Sequence, residues 1–403
     1  MSSITSRQRA IRNLLTQISP MSPVAMPPSE GIGNATAEAV TAVCQVPEQA
    51  SSVRDGYALR AEDIKRAGAL QPVRLEIKQA IQAESRNPIP LKPGDAARVL
   101  TGGPVPEGAD SVLAEEDVEV DGSVIVIRTP VRKGWFVRAA GGEIDAGAVI
   151  APQGRIISPQ AAAVMTRTRT GHIMVHPKPT ARLIALGSEL IDPKIHDDPN
   201  RFPADNLVLQ RGLFESSGAV VTEATVVPDD KNRLISILSQ ATQPELIVTT
   251  GGTGRSERDF ARTGALESGF SILFEEVDIR PGRHVFAAIR DNTLLFGLPG
   301  PPAAGHACFH ALILPVIRRL RGLPDQIEPI MARFTQGISA RPGSEWFVQC
   351  TLTMHGSQLI ATPLAGKEVP PMVGLSQANG LAILQSGEAI LPGDEAEIVT
   401  TLF

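Results

Sequence analysis

The sequence predicts a multidomain α/β protein, and three observations carry this prediction. The chain has 403 residues, more than the roughly 250–300 residues at which a single hydrophobic core stops growing. Its middle part alternates short apolar strands with helices of about ten residues, a pattern typical of βαβ units and a largely parallel sheet. The stretches on either side alternate apolar and polar residues and therefore predict β-rich parts.

Composition limits what kind of protein this is. Apolar residues make up 42% and aromatic residues only 4%, so the cores must consist mainly of Val, Ile, Leu and Ala. The 36 glycines and 33 prolines form no repeat, which favours many turns and short elements over long bundles or disorder. A net charge of −5 gives no overall electrostatic support for nucleic-acid binding.

Cysteine usage and hydropathy bear on the cellular compartment. Cys44, Cys308 and Cys350 lie far apart in the sequence, which predicts neither a disulfide framework nor a zinc ribbon. No apolar run reaches the roughly 18 residues of a membrane-spanning helix, and the N-terminal segment lacks the apolar core of a signal peptide. We therefore expect a soluble protein of the reducing cytoplasm that does not contact a membrane.

The N-terminal part of the chain predicts one helix followed by strands and turns. Ile11, Leu14, Leu15 and Ile18 form one apolar helical stripe, and Thr5 with Gln8 predicts a capping box. Further along, Asp121-Gly122 predicts a hairpin, and Ser158 with Pro159 predicts a helix start. We expect domain boundaries that give an extended part, a β-rich part, an α/β domain and a small β-domain: 1–45 with 131–176, 46–130, 177–322 and 323–403.

The α/β segment ends in an antiparallel pair and a long helix. Strands before and after Asp291-Asn292 predict that pair, and a helix is expected over 302–321 despite Pro315. On this helix His306 and His310 are four residues apart, with Cys308 between them. A packed helix face is the favoured interpretation over a metal site, because no glutamate stands between the histidines.

Glycine-rich loops follow two strands of the α/β segment. One begins at Thr250 and contains Gly251, Gly252, Gly254 and Ser256, and the other contains Gly300 and Pro301. In open parallel sheets ligands bind at the carboxyl ends of strands, and backbone N–H groups in such loops suit an anion. The alternatives are an ordinary glycine-rich turn at the first loop and a rigid strand–helix joint at the second.

Acidic and basic residues surround these loops. Glu189, Asp229 and Asp259 fall at strand ends, where three carboxylates would suit a divalent cation. The alternatives are a solvated loop residue for Glu189, a helix N-cap for Asp229 and a first-turn acid for Asp259. Arg280 and Arg283 flank a Pro-Gly turn, and arginine matches oxyanion geometry. Two solvated surface arginines are the alternative there.

Taken together, these segments resemble one family, the molybdopterin molybdenumtransferases related to the C-terminal domain of gephyrin. The resemblance covers nearly the whole chain and rests on seven segments in the family's order: SVRDGYALRAEDI (52–64), RVLTGGPVPEGADSVLAEEDVE (98–119), GSELI (187–191), VPDD (227–230), TTGGTGRSERDF (249–260), RPGR (280–283) and GLPGPP (297–302).

The resemblance implies a fold and an assembly. It implies a three-layer α/β molybdopterin-binding domain, β-rich N-terminal subdomains and a C-terminal β-barrel-like domain. It also implies an elongated homodimer whose site lies between the α/β domain of one subunit and the N-terminal part of the other. The implied protein partners are a molybdopterin adenylyltransferase or a recipient molybdoenzyme.

The resemblance also implies a reaction: Mg²⁺-dependent insertion of molybdate into adenylylated molybdopterin, with release of AMP. Asp55 and Thr101 match family residues that act across the dimer. Glu189, Asp229 and Asp259 match the acidic residues, which would hold the cation and orient the adenylate phosphate. Arg280 and Arg283 stand where the family has lysines and would stabilise molybdate or phosphate charge.

Several positions depart from the family pattern, and four of these departures bear on the oxyanion site. Pro301 replaces an asparagine, Glu276 a basic residue, Gln349 an arginine and Val369 a serine. Each change removes positive charge or a hydrogen-bond donor from an oxyanion site. Two alternatives to the enzyme therefore stay open: a catalytically impaired paralogue that binds molybdopterin as a carrier or regulator, and an α/β enzyme that shares only the fold and acts on another nucleotide. Tungstate in place of molybdate also remains open.

Overall fold

The computed structural model describes residues 4–195, 198–252, 260–365 and 369–401. The N-terminal part of the chain consists mainly of short strands in small sheets. Its helices and strands are α1 (Arg7–Thr16), β1 (Val24–Met26), α2 (Pro28–Gly31), β2 (Ala35–Thr36), β3 (Val40–Thr41), β4 (Ser51–Ser52), β5 (Gly56–Leu59), β6 (Val73–Ile81), β7 (Asp95–Val99), β8 (Ser111–Ala114), β9 (Glu119–Asp121), β10 (Val124–Ile127), β11 (Val137–Arg138), β12 (Val149–Ala151), α3 (Pro159–Arg167) and β13 (Ile173–His176).

The largest sheet of this part has the strand order β8-β5-β7-β6-β10-β9. Its β9–β10 hairpin turns at Gly122, whose φ of 62° suits glycine, and the prediction of a hairpin there is confirmed. The predicted start of α3 is also confirmed: the Ser158 side chain accepts a hydrogen bond from the Ala161 N–H, and Pro159 is the first helical residue. Smaller sheets (β1-β13-β2, β11-β4 and β12-β3) connect the segments around it.

The middle of the chain forms a six-stranded sheet with helices. Its elements are β14 (Thr180–Leu186), β15 (Leu190–Ile191), β16 (Phe202–Pro203), α4 (Asp205–Ser216), β17 (Val220–Val227), α5 (Lys231–Leu238), β18 (Leu246–Thr250), α6 (Ala261–Glu267), β19 (Ser271–Phe274), β20 (Ile279–Arg280), β21 (Phe286–Arg290), β22 (Thr293–Leu298), α7 (Pro302–Cys308) and α8 (Leu314–Leu320). The order is β17-β14-β18-β22-β21-β19, in which the first four strands are parallel, β21 pairs antiparallel with β22, and β19 pairs antiparallel with β21.

This sheet has a hydrophobic core on each face, which explains its apolar strands. Along β14, Leu183 and Ala185 lie in the core that contains α4 and the α7–α8 region, whereas Ile184 and Leu186 lie in the core that contains α5 and α6. Successive side chains of a strand point to opposite faces, so a strand covered on both sides must be apolar throughout. The three-layer α/β architecture is confirmed.

The C-terminal part closes into a barrel. Its elements are β23 (Ile330–Phe334), β24 (Ile338–Ser339), β25 (Glu345–His355), β26 (Gln358–Pro363), α9 (Pro371–Gln377), β27 (Gly380–Leu384), β28 (Ala389–Ile390) and β29 (Glu395–Thr400). The ring runs β25-β26-β23-β29-β27 and returns to β25, and β20 adds to its outside. The predicted barrel-like domain is confirmed, whereas α9 was not predicted, because seven residues are too few for a helical period to show.

The first helix docks on the α/β domain. Ala10, Ile11 and Leu14 of α1 are buried in the same core as α4 and α8, as the apolar stripe predicts. The predicted cap is wrong by one residue, because the Ser6 side chain accepts from the Arg9 N–H while the Thr5 N–H bonds the Glu276 carbonyl. The domain boundaries proposed from the sequence stay a prediction.

The expected helix over 302–321 is not uniform. Between α7 and α8 the residues Phe309–Ile313 form a π-helical turn. Pro315 has no N–H to donate to the carbonyl four residues earlier, and a widened turn before it lets the chain continue in the same direction. Among the helices of the described ranges, none is both long and apolar enough to cross a bilayer.

The π-helical turn contains half-buried His310, which packs against buried His306 of α7. The rings of His306 and His310 are 4.7 Å apart between centroids, and within the described residues Nδ1 of His306 and both ring nitrogens of His310 have no hydrogen-bond partner. Burial lowers the pKa of His306 to about 4 and that of His310 to about 3, with a smaller contribution from His306 to the latter. Both rings are therefore neutral at pH 7, and acid must destabilise the fold.

We expect the free energy of unfolding to fall as the pH drops below 6.5. The unfolded chain takes up protons at an ordinary histidine pKa near 6.5, whereas folded His310 stays neutral down to about pH 3. The contribution is therefore fully present above pH 6.5 and costs about 2 kcal/mol per histidine near pH 5. In urea titrations, His310→Phe should lose less stability than wild type between about pH 7.5 and 5. His172→Phe, at an exposed histidine, is the matched control, and an equal loss in all three proteins would contradict this account.

Candidate functional site

Asp55 and Thr101 form a preorganised polar pair on the N-terminal sheet. Asp55 immediately precedes β5, and Thr101 follows the neighbouring β7. The Asp55 Oδ1 atom accepts from the Thr101 N–H at 2.6 Å and from the Thr101 hydroxyl at 2.8 Å. The backbone bond first, and then the hydroxyl bond, hold the pKa of Asp55 below its usual value. The pair therefore presents an exposed carboxylate whose orientation is set by the turn at Thr101.

A second pair of carboxylates lies at the ends of β14 and β17. Asp229 Oδ2 accepts from the Ser188 N–H at 3.3 Å, and the Ser188 hydroxyl accepts from the Asp229 N–H at 3.0 Å. Glu189 is the next residue, so the two strand-end loops that carry Glu189 and Asp229 are joined. The N-cap of α5 is Asp230, which accepts from the N–H groups of Asn232 and Arg233. The alternative that Asp229 caps this helix is therefore wrong.

This arrangement fits a divalent cation that is bound mainly by other ligands. Glu189 and Asp229 are exposed carboxylates, and Mg²⁺ commonly takes one or two carboxylates and completes its shell with water and substrate phosphate. Within the described ranges no group of three acidic, histidine or cysteine side chains is close enough to enclose a metal. Asp259, the third predicted ligand, lies outside the described residues.

The glycine loop after β18 lies between the loops that follow β14 and β22. Gly251 has a φ of 84° and Gly252 a φ of 64°, a region that glycine adopts without strain. A Cβ on Gly251 would lie 2.7 Å from the Leu186 carbonyl oxygen. This close approach of the two backbone segments therefore requires glycine at position 251. Thr250 is buried at the strand end. Gly254 and Ser256 lie outside the described residues.

The loop after β22 leads into α7. The Gly300 carbonyl accepts from the Asn206 side chain of α4 at 2.6 Å, and among the described residues, its chain neighbours apart, no atom lies within 4 Å of a Cβ built on Gly300. Pro301 is exposed and provides no side-chain cap to α7. Close packing against the described residues therefore does not explain the glycine at this position.

The RPGR turn connects β20 to β21 and faces the barrel. Arg280 is paired in register with Trp346 of β25; it is exposed and has no ion pair within the described residues. Gly282 packs on α7, because a Cβ there would lie 2.5 Å from the Cys308 Sγ atom. Arg283 contacts Glu276 through Nε at 3.4 Å. The two arginines therefore differ: Arg283 is compensated by a carboxylate, whereas no carboxylate of the described ranges pairs with Arg280.

The remaining departures from the family pattern lie on the barrel side. Gln349 is half-buried in β25, and its Oε1 atom would lie 3.5 Å from a Cβ on Gly374 of α9. Val369 lies two residues before Pro371, the first residue of α9, and α9 contacts α7. The unpredicted helix α9 therefore places both positions near the helix that follows the Gly300 loop.

The predicted residues form two groups. Glu189, Asp229, Gly251 and Gly300 follow β14, β17, β18 and β22, which are adjacent and parallel, so they share one edge of the sheet. Asp55 and Thr101 belong to a different sheet. Within the described part of the chain, no hydrogen bond or ion pair joins this pair to the strand-end group. Sequence reasoning missed Ser188, which stands inside the quoted GSELI segment, and His284, for which the sequence offers no signal.

A cavity of about 530 Å³ adjoins the Thr101 turn. Gly102 and Pro104 line it on one side, and Arg167 and Arg169 of the N-terminal segment line the other. Arg169 is paired with Glu48 at 2.6 Å. A smaller cavity, of about 240 Å³, has none of the predicted site residues in its lining.

Comparison with known proteins assigns the chain to a family. Residues 5–168 match the family model described as MoeA N-terminal region (domain I and II), and residues 182–319 match the probable molybdopterin binding domain. A molybdopterin molybdenumtransferase of Nostoc sp. is 26% identical over 92% of this chain and 86% of its own length. One from Staphylococcus aureus is 26% identical over 98% and 95%. The chain belongs to the molybdopterin molybdenumtransferase family.

Solved structures agree on the fold of this molybdopterin molybdenumtransferase family member. The crystal structure of the molybdopterin biosynthesis MoeA protein from Pyrococcus horikoshii superposes with a TM-score of 0.83 at 24% identity and covers 100% of both chains. At this level of sequence identity, the similarity shows that the two chains share a fold. The first matched region contains Asp55 and Thr101, and the second contains the strand-end carboxylates and the RPGR turn.

Removing the Thr101 hydroxyl should raise the pKa of Asp55. Thr101→Val keeps the backbone N–H bond, the larger cause of the lowering, and removes the hydroxyl bond. We expect the pKa of Asp55, followed by NMR titration of its carboxyl carbon, to rise only part of the way to its ordinary value. Thr16→Val, at an exposed threonine of α1, is the control. An unchanged Asp55 titration in Thr101→Val would contradict the hydroxyl contribution.

Gly282→Ala should displace the RPGR turn. The added methyl meets Cys308 Sγ at 2.5 Å, and overpacking of this kind costs about 1–3 kcal/mol. Gly343→Ala is the matched control, because Gly343 also has a positive φ (101°) but, among the described residues other than its chain neighbours, no atom lies within 4 Å of its Cβ position. The double variant with Cys308→Ala should recover stability in urea titrations. No recovery would show that the contact with Cys308 does not decide the cost.

Proposed function

We propose that this protein is a molybdopterin molybdenumtransferase that inserts molybdate into adenylylated molybdopterin and releases AMP. The observation that carries the proposal is the gathering of two carboxylates, a glycine loop and an open loop at one edge of the parallel sheet, within a chain that belongs to this family. Such an edge suits a ligand that contains phosphate and is bound through backbone N–H groups and a cation.

The strand-end residues would bind the phosphate part of the substrate. Glu189 and Asp229, together with Asp259, would hold Mg²⁺, and the Ser188 bonds keep Asp229 in place. When bound, the cation would supply electrostatic stabilisation of phosphate oxygens. Gly251 and Gly252 keep the backbone free of side chains beside the phosphate; Thr250, Gly254, Ser256, Gly300 and Pro301 complete the proposed binding loops.

The RPGR turn would bind the oxyanion. Arg280 offers an exposed guanidinium, whose forked donors match a tetrahedral oxyanion. Arg283 uses Nε for Glu276, so the N–H groups of its two terminal nitrogens remain to bind molybdate or phosphate. Both arginines would stabilise negative charge that the reacting groups develop.

Asp55 and Thr101 would complete the site of the partner subunit in a homodimer. The Thr101 hydroxyl donates its hydrogen to Asp55, so the pair presents acceptor oxygens to a ligand. Pterin N–H groups are suitable donors to such oxygens. The absence of any hydrogen bond or ion pair between this pair and the strand-end group, among the described residues, supports a site built from two chains. Cytoplasmic location and contact with an adenylyltransferase or a recipient molybdoenzyme belong to the same proposal.

A second candidate function is that of a molybdopterin-binding carrier or regulator without turnover. The carboxylate of Glu276 beside Arg283 and the uncapped start of α7 at Pro301 favour it, since both weaken an oxyanion site. Purified protein is incubated with adenylylated molybdopterin, molybdate and Mg²⁺, and AMP is measured. We expect AMP release that EDTA abolishes. Tight molybdopterin binding without AMP release would reject the enzyme and support the carrier.

Mixed dimers test the shared site. Asp55→Asn and Glu189→Gln should each abolish AMP release as homodimers. A mixed dimer of the two, isolated through different tags, contains one site free of both substitutions and should recover about half of the wild-type rate. Asp121→Asn, in an exposed pair with Arg74, is the control and should leave the rate unchanged. No recovery in the mixed dimer would place the whole site within one chain.

A further inference from the structure

Glu276 is anchored at a junction of three elements. Its carbonyl accepts from the Thr5 N–H at 3.0 Å, just before α1, and the following Val277 N–H donates to the Arg283 carbonyl at 3.0 Å. The residue lies between β19 and β20, and its side chain contacts Arg283 of the RPGR turn. These backbone bonds leave little freedom for Glu276 to move away from the turn.

The carboxylate of Glu276 contacts both the last residue of the RPGR turn and the residue that follows the turn. Oε2 lies 3.4 Å from Nε of Arg283, and Oε1 lies 3.3 Å from Nδ1 of His284. The Glu276 side chain is only 8% exposed, whereas those of Arg283 and His284 are 38% and 54% exposed. The negative charge is therefore inside the protein, and its partners face solvent.

Burial favours this pairing. A buried carboxylate needs compensating charge, and Arg283 is one of the residues that supply it. Part of the positive charge of Arg283 is therefore already offset before any anion arrives. Arg280, which has no such partner within the described residues, keeps its full positive charge.

We propose that Glu276 is a specificity-determining residue of the RPGR turn: its buried carboxylate neutralises Arg283 and thereby limits the affinity of the turn for free tetrahedral dianions. The role of the turn as an oxyanion site rests on the proposed function. A dianion at the turn is repelled by Glu276 as well as attracted by the arginines, and in a partly buried site this repulsion is only weakly screened. Free sulfate or molybdate is therefore retained weakly.

The test is calorimetric titration of the full-length protein with sodium molybdate and, separately, with sodium sulfate. Two variants remove the charge: Glu276→Gln keeps the shape, and Glu276→Met removes the polar group as well. Both should bind each dianion about tenfold more tightly than wild type. Glu276→Asp keeps the charge and should stay within about twofold of wild type. The melting temperature of each variant shows whether it is folded, and the Met variant replaces the Gln variant if the latter does not fold.

The neighbouring residue is a matched control. Glu275 pairs with Arg262 at 3.6 Å, and its side chain is 41% exposed, so water screens its charge. Glu275→Gln should leave the affinities for molybdate and sulfate unchanged. The proposal would be overturned if Glu275→Gln increased these affinities as much as the variants at position 276, or if the two neutral variants at position 276 did not increase them.

These results are separable from the proposed function, because dianion binding needs no turnover. If wild type releases no AMP but the neutral variants bind the dianions more tightly, the proposed reaction fails and the role of Glu276 stands. If AMP is released but the neutral variants bind the dianions no more tightly than wild type, the proposed reaction stands and the role of Glu276 is rejected.

Discussion

The parallel order β17-β14-β18-β22 is the constraint on which the rest of the site depends. In a parallel sheet all carboxyl ends lie at one edge, so loops that are far apart in sequence become neighbours. Ser188 and Asp229, 41 residues apart, exchange two hydrogen bonds there. The same order brings the Gly251 backbone against the Leu186 carbonyl, which only a residue without a side chain allows. The strand order therefore sets where a ligand can bind, and the side chains at this edge determine which kind of ligand binds there.

Two carboxylates of the predicted site region, those of Asp55 and Glu276, are held in place by neighbouring residues. The chain carries a net charge of −5, so any anion site must depend on local groups. Asp55 is held as a carboxylate by two bonds from Thr101, and Glu276 is buried against Arg283 and His284. In both cases a carboxylate is fixed by its neighbours and has few orientations. These fixed charges cost little reorganisation when a charged ligand arrives.

Features of this chain that depend on contacts between residues close in sequence were predictable, whereas features that depend on distant residues were not. Strand periodicity, the Gly122 turn and the Ser158 cap depend on contacts within a few residues, and each was predictable. The N-cap was misplaced between Thr5 and Ser6 because Thr5 is engaged by Glu276, more than 270 residues away. Asp229 was open to interpretation as a cap for the same reason, since its partner Ser188 is on another strand. The π-helical turn before Pro315 also escaped prediction, because a proline indicates a disturbance but not its form.

By itself the sequence determined the α/β class, the family resemblance and the residue types available for an anion site, because local patterns and motifs record these directly. The tertiary structure alone decided which of those residues act together. It joined Ser188 to Asp229, separated the Asp55–Thr101 pair from the strand-end group, and made Arg280 and Arg283 unequal by burying Glu276 beside only one of them. The physical reason is that burial and charge pairing depend on which elements pack against each other, and no spacing along the chain specifies that packing.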